Sequence, residues 1–165
     1  MKENLVNTIK QFSIRKEPII LRSGEKSNIY IDIKKSYGVP GFLSEASHEI
    51  HKIIDKKATC VAGMGIGGIS LASVYGELYK IPVCIIRDKP KERGTKSQIE
   101  AYIPTEKDKI IILDDVYTSG SSIKDTAKIL QSINAEIIQA CVILTRNMPN
   151  LNFPTKSILI LEDVL

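Results

Sequence analysis

Nowhere in its 165 residues does the chain carry an uninterrupted apolar stretch long enough for a membrane span or a signal-peptide core. Its opening residues, MKENLVNTIKQF, alternate charged and apolar side chains. The expectation is a soluble, cytoplasmic protein with no membrane partner. Cysteines are few: Cys60, Cys84 and Cys141 are odd in number, far apart and without a Cys-x-x-Cys pairing. Each sits in an apolar run that reads as a strand, so buried reduced thiols are expected, as suits cytosol. There are only two histidines, His48 and His51. Their spacing can hold a metal, but no third ligand is near, and they read as exposed helix residues. No GxxxxGK[ST] is present, which removes P-loop nucleotide chemistry. An excess of positive charge is nearly lacking too: 23 Lys and Arg against 19 Asp and Glu leave +4, too little to argue for a nucleic-acid partner. Internal repeats and low-complexity tracts are absent.

What remains is a chain with 43% apolar residues, long enough to bury one core. We expect one domain over residues 1–165. Periodicity predicts a helix near 2–12, two short strands near 17–21 and 28–33, and a helix over 42–54. Strands near 58–63, 82–87, 109–114 and 136–144 then alternate with helices near 68–80 and 121–133. That order predicts an α/β fold with a parallel sheet covered on both faces. Ligands of such sheets collect at the carboxyl ends of the strands.

Three segments lie at such ends. The first is Ile110-Ile111-Ile112-Leu113-Asp114-Asp115, followed by Val116, Tyr117, Thr118, Ser119, Gly120, Ser121 and Ser122. Two like charges at a buried strand end disfavour each other unless hydroxyls or a metal-bound polyol sit between them, and a ribose diol fits that description. The loop after them offers hydroxyls, an unhindered glycine and the free N–H groups of a helix start, a ready phosphate site. The plainer alternative is a strand ending in solvated acids, with Ser121 or Ser122 as a helix cap.

The second segment, Gly63-Met64-Gly65-Ile66-Gly67-Gly68, matches GxGxxG, and Asp88 stands about twenty residues further on, which keeps a dinucleotide-binding reading open. Against it, about sixty residues precede a fingerprint that usually opens the first βαβ unit. The third, Arg87-Asp88-Lys89-Pro90-Lys91-Glu92-Arg93-Gly94-Thr95-Lys96-Ser97, is polar and punctuated by Pro and Gly. It reads either as a solvated charged loop or as a mobile lid whose cations stabilise an anionic leaving group. A strand-like run follows it over 98–103.

Taken together, the acid pair and its loop resemble the phosphoribosyl pyrophosphate (PRPP) motif of type I phosphoribosyltransferases. The resemblance implies that family's parallel sheet flanked by helices, with a small N-terminal hood formed by residues 1–40. It implies that Asp114 and Asp115 hold the ribose, that Thr118, Ser119, Gly120, Ser121 and Ser122 hold the 5-phosphate with Val116 and Tyr117 also at the PRPP site, and that Gly65, Gly67 and Gly68 let backbone amides approach the pyrophosphate. The basic loop is similar to the catalytic loop of orotate phosphoribosyltransferases, Arg-Lys-x-x-Lys-x-His-Gly, at Arg87, Lys91 and Gly94. Asp88 stands where a lysine is usual and Arg93 where a histidine is usual. Arginine can donate to a pyrophosphate oxygen but does not titrate near neutrality. In the hairpin-like run from Ile19 to Lys34, Arg22 and Tyr30 correspond to base-contacting positions, as do Thr118 and Arg146 elsewhere, with Ser23 and Gly24 at the turn. A guanidinium at Arg146 suits a carboxylated planar base.

The resemblance covers residues 12–147. It implies transfer of phosphoribose from PRPP to orotate, giving orotidine 5′-monophosphate in pyrimidine synthesis. It further implies catalytic roles for Lys91, Arg93, Asp114 and Asp115, a homodimer with shared sites, and magnesium held mainly by PRPP near the acid pair. Two alternatives share the PRPP site: a purine-salvage phosphoribosyltransferase, and a PRPP-sensing regulator. The regulator would add a nucleic-acid-binding domain, for which the chain has no room, or a broad basic face.

Overall fold

A computed structural model describes residues 2–15, 29–90 and 97–165, together with the backbone of residues 19–20 and 26–27. Helix α1 (Lys2–Phe12) leads into the short strands β1 (Ile14–Arg15), β2 (Ile19–Ile20), β3 (Lys26–Ser27) and β4 (Tyr30–Ile31). A 3-10 helix (Ile33–Gly38) and α2 (Phe42–Ile53) follow. Then come β5 (Cys60–Met64), α3 (Gly65–Tyr79), β6 (Val83–Ile86), β7 (Ile99–Ala101), β8 (Lys109–Tyr117), α4 (Ser121–Gln131), β9 (Glu136–Thr145), β10 (Thr155–Ile160) and α5 (Leu161–Val164).

Six strands form the main sheet in the order β10-β9-β8-β5-β6-β7. All neighbours are parallel except β7, which runs antiparallel to β6. The 98–103 run therefore joins the sheet as an antiparallel edge, with Ile99–Ala101 paired to β6 and the Arg87 N–H donating to Gln98 O. The largest departure from expectation is β10. Nothing specific is predicted after Arg146, yet Thr155–Ile160 pairs with β9 from Thr155↔Ala140 to Ile160↔Thr145 and closes the opposite edge.

Alternation along β8 divides the interior into two layers. Ile111 and Leu113 face α1, α2 and α3, joining Leu5, Ile9, Ile50 and Leu71. Ile110 and Ile112 face α4, joining Ile123, Ala127 and Leu130. Each such fully buried Leu or Ile contributes about 1.5–3 kcal/mol relative to exposure. The three thiols lie in these layers, buried and unpaired in disulfides, and burial pushes each of them up to about 12. Among the described residues no helix is long and apolar enough to cross a membrane.

Two expectations need correction. The strand expected over 28–33 stops at Ile31, because Asp32 O accepts from Lys35 N–H and starts a 3-10 turn. Antiparallel pairing starts earlier instead, at Ile14↔Ile31, with β2 and β3 nested inside it. The second concerns His48 and His51, which are half-buried rather than exposed. His51 stacks on Tyr79 with ring centroids 3.7 Å apart, and its Nδ1 lies 2.8 Å from the Tyr75 hydroxyl. His48 Nδ1 lies 2.6 Å from the Tyr79 hydroxyl. Tyr75 and Tyr79, one turn apart on α3, draw both imidazoles inward.

Candidate active site

The parallel strands β5 and β8 are neighbours, so the turn after one and the acids at the end of the other meet by topology. The meeting is tight. A Cβ built on Gly67 would stand 2.5 Å from Asp115 Cγ, and one on Gly68 would stand 2.8 Å from Leu113 O and 3.5 Å from Asp114 Oδ1. Only a glycine lets the acids lie against the start of α3. Gly63 is equally constrained, since its Cβ would lie 2.2 Å from Gly68 O. Gly65 serves another need: it turns the chain from strand to helix at φ +67°.

The two acids occupy different surroundings. Asp114 is almost fully buried, with Oδ1 accepting from the Asp115 N–H at 2.9 Å. Burial, and next the charge of Asp115, raise its pKa well above the usual carboxylate range. Asp115 reaches the surface, and its Oδ1 accepts from the Val116 N–H at 2.9 Å. Its other oxygen, Oδ2, lies 3.3 Å from Lys34 Nζ, which also pairs with Asp32 Oδ1 at 2.9 Å. Lys34 and Asp32 lie at the end of the hairpin-like run from Ile19 to Lys34, and the sequence alone assigns neither a role. The alternating run Ile29-Tyr30-Ile31-Asp32-Ile33-Lys34, in which both polar residues share a face, is the signal that could have found them.

After the acids, Tyr117 turns its ring into the interior. A Cβ on Gly120 (φ +72°) would stand 2.6 Å from that ring, and the Tyr117 hydroxyl accepts from the Asn150 N–H at 3.0 Å. Thr118, Ser119 and Ser121 are exposed, and Ser122 is half-buried at the first turn of α4. The free amides there and three exposed hydroxyls form an anion cradle. Arg146 is brought beside it: its N–H donates to Tyr117 O at 2.9 Å, and Asn147 Nδ2 donates to Thr118 O at 3.0 Å.

Arg87 and Asp88 stand exposed at the end of β6, bordering an open cavity of about 530 Å³ with Gly65, Ile66, Ile69, Ser70 and Ile86. Arg87 Nη1 is 3.8 Å from Glu100 Oε1. Tyr30 is exposed in β4. Arg22, Ser23, Gly24, Lys91, Arg93 and Gly94 lie outside the described residues. The structure thus unites the acid pair, the hydroxyl loop, the glycine turn and Arg146, with Arg87 at one rim.

The same stretch of sequence matches the family described as "Phosphoribosyl transferase domain" over residues 39–152. Full-length relatives narrow the family further. The orotate phosphoribosyltransferase of Methanocaldococcus jannaschii is 35% identical, the match covering 88% of this chain and 82% of the relative. That of Pyrococcus furiosus is 36% identical with the same coverage. The chain belongs to the orotate phosphoribosyltransferase family. In fold it is similar to the crystal structure of orotate phosphoribosyltransferase from Aeropyrum pernix, with a TM-score of 0.85 over 98% of this chain and 96% of that one at 24% identity. For an orotate phosphoribosyltransferase-type chain the glycine turn is no dinucleotide fingerprint. Here Gly67 and Gly68 face an acid pair which that reading leaves without a purpose.

Proposed function

We propose that the chain transfers the 5-phosphoribosyl group of PRPP to orotate, releasing pyrophosphate and giving orotidine 5′-monophosphate for pyrimidine synthesis. The observation that carries this reading is the junction of the acid pair with the glycine turn beside the hydroxyl loop. It offers acceptors for two ribose hydroxyls, amides for a 5-phosphate and close backbone for a pyrophosphate within one cleft.

In the reaction the bond from C1 of the ribose to the pyrophosphate oxygen breaks, its electron pair leaves with the pyrophosphate, and a bond from C1 to a ring nitrogen of orotate forms as that nitrogen loses its proton. The chain's part is positioning and charge stabilisation. Asp114 and Asp115 accept from the ribose hydroxyls. The 118–122 loop holds the 5-phosphate, and Val116 and Tyr117 complete the PRPP site. Gly65, Gly67 and Gly68 admit the pyrophosphate, and Arg87, Lys91 and Arg93 neutralise it as it departs. Arg22, Tyr30, Thr118 and Arg146 receive the base, the guanidinium of Arg146 facing its carboxylate. Residues 1–165 work as one domain, with 1–40 as a hood over the base site.

Magnesium fits this cleft. The two carboxylates are hard oxygen donors, and a nearby cation would offset the burial and, next to it, the Asp115 charge that together disfavour ionised Asp114. PRPP would hold the ion with its pyrophosphate and ribose oxygens, close to Asp114 and Asp115, and the ion would supply charge neutralisation of the leaving group. We read the active form as a cytoplasmic homodimer in which each basic loop serves the partner's site.

The test is orotate consumption, followed by its ultraviolet absorbance, with PRPP and magnesium, and with adenine, hypoxanthine and uracil as parallel acceptors. Turnover of orotate alone, abolished in Lys91→Ala and Asp115→Asn, is the expected result. Turnover of a purine instead would overturn the base assignment while leaving the PRPP site, and PRPP binding without turnover of any base would favour a sensor.

A further inference from the structure

The carboxylate of Asp115 is held on three sides. Its own chain holds it through the Val116 N–H to Oδ1 at 2.9 Å, and Gly67 forms a floor with no room for a methyl group. On the third side Lys34 Nζ lies 3.3 Å from Oδ2. The lysine is itself aimed. Asp32 takes its ammonium at 2.9 Å, and the 3-10 helix that carries it is riveted to the body of the protein. Asp32 N–H donates to Ser13 O at 2.9 Å, the Ser13 and Ser36 hydroxyls meet at 2.6 Å, and the Tyr37 hydroxyl donates to Gly67 O at 3.1 Å. Residues 30–37 thus run from Tyr30 in β4 to both halves of the acid and glycine junction.

We propose that Lys34 is a positioning residue for phosphoribosyl transfer: held by Asp32, its ammonium fixes the Asp115 carboxylate in the orientation that receives the ribose hydroxyls of PRPP. This rests on the function proposed above. A lysine side chain 43% exposed contributes little to stability through an ion pair. The arrangement makes more sense as alignment. A carboxylate that must accept two hydroxyl hydrogens needs a fixed rotamer, and an ammonium at Oδ2, opposite the Val116 N–H at Oδ1, secures that rotamer while supplying countercharge to the acid pair. The same contact ties the segment bearing Tyr30 to the ribose site, so the base side and the sugar side are built on one rigid piece.

The experiment compares Lys34→Met, Lys34→Arg and Lys35→Met with the unaltered chain. PRPP affinity is measured by titration calorimetry, KM and kcat by orotate absorbance, and integrity by thermal unfolding. Lys34→Met is expected to weaken PRPP binding and raise the PRPP KM about tenfold or more, with the orotate KM at saturating PRPP changed by less than about threefold. Lys34→Arg restores PRPP affinity to within about threefold, and the exposed neighbour variant Lys35→Met behaves as the unaltered chain. PRPP affinity unchanged in Lys34→Met overturns the proposal, as does a lowered melting temperature with unchanged affinity. Failure of the unaltered chain to bind PRPP overturns the parent function, and this inference with it.

Discussion

Gly67 lies so close to Asp115 that a methyl group on it would sit 2.5 Å from the carboxylate carbon and 2.7 and 2.8 Å from its oxygens. The acid cannot simply swing away, because Val116 and Lys34 hold its two oxygens. Gly67→Ala therefore displaces Asp115 rather than unfolding the chain. A misplacement of about 1 Å at a reacting group costs about a hundredfold in rate, and we expect that loss in kcat/KM for PRPP. Gly38→Ala is the control, since nothing lies within 4 Å of its added methyl and its φ is unremarkable. Its kinetics are expected to match the unaltered chain.

Tyr117 supports the 118–122 loop, with its ring against Gly120 and its hydroxyl on the Asn150 N–H. Tyr117→Phe keeps the ring and removes the acceptor. Stability should fall by about 1 kcal/mol, the worth of one such bond, by thermal or urea unfolding. The PRPP KM should rise severalfold, because the chain from Arg146 to Asn150 and the loop at Thr118 lose one of their links. An unchanged PRPP KM would mean that Arg146 N–H and Asn147 suffice to hold the loop.

How much of this could be read beforehand depends on the reach of each interaction. Strands β5, β8 and β9 are legible because each is an apolar run mostly buried on both faces, β6 because it is a short apolar run with one face buried and the other half-buried, and α1 and α2 because their apolar residues recur at helical spacing. The acid pair and its loop are legible because a buried strand, two acids and a hydroxyl-glycine loop occupy contiguous residues. Strand β10 is not, since Thr155, Lys156 and Ser157 are polar, Ile160 is exposed, and only pairing with β9 defines it. The roles of Lys34 and Asp32 are hidden for a similar reason: the carboxylate that Lys34 reaches is 81 residues away. His48 and His51 look like surface residues until Tyr75 and Tyr79 are folded against them.

Asp108 is a buried carboxylate remote from the cleft. It accepts from Thr59 Oγ1 at 2.7 Å, Thr105 N at 2.8 Å, and the Thr105 and Tyr102 hydroxyls at 3.0 Å. The Thr105 amide above all holds its pKa below the usual value. A depressed folded-state pKa means that the stabilisation is complete above the unfolded value of about 4 and is lost as pH falls through the folded one. Asp108→Ala should therefore cost about 2–3 kcal/mol at pH 7 and flatten the acid side of the stability profile, read by urea unfolding between pH 3 and 7. Activity per folded molecule should not change.

Asp114 has the opposite sign. Burial and the neighbouring Asp115 raise its folded-state pKa, so between the unfolded value of about 4 and the raised one the folded chain holds a proton that the unfolded chain has released. Across that window the ligand-free protein loses stability as pH rises, and above it the cost is borne in full. Asp114→Asn removes the titrating group while its side-chain oxygen can still accept from the Asp115 N–H. Thermal unfolding at pH 8 should find this variant at least as stable as the unaltered chain, with a shallower decline from pH 5 to 8. Phosphoribosyl transfer should fall at least about tenfold, because a charge-assisted bond to a ribose hydroxyl, worth about 1.5–3 kcal/mol, becomes a neutral one. A variant both less stable at pH 8 and fully active would mean that Asp114 braces the strand end and leaves the sugar to Asp115 alone. Greater stability with lost activity would mark the acid as held against its own preference for the sake of the ligand.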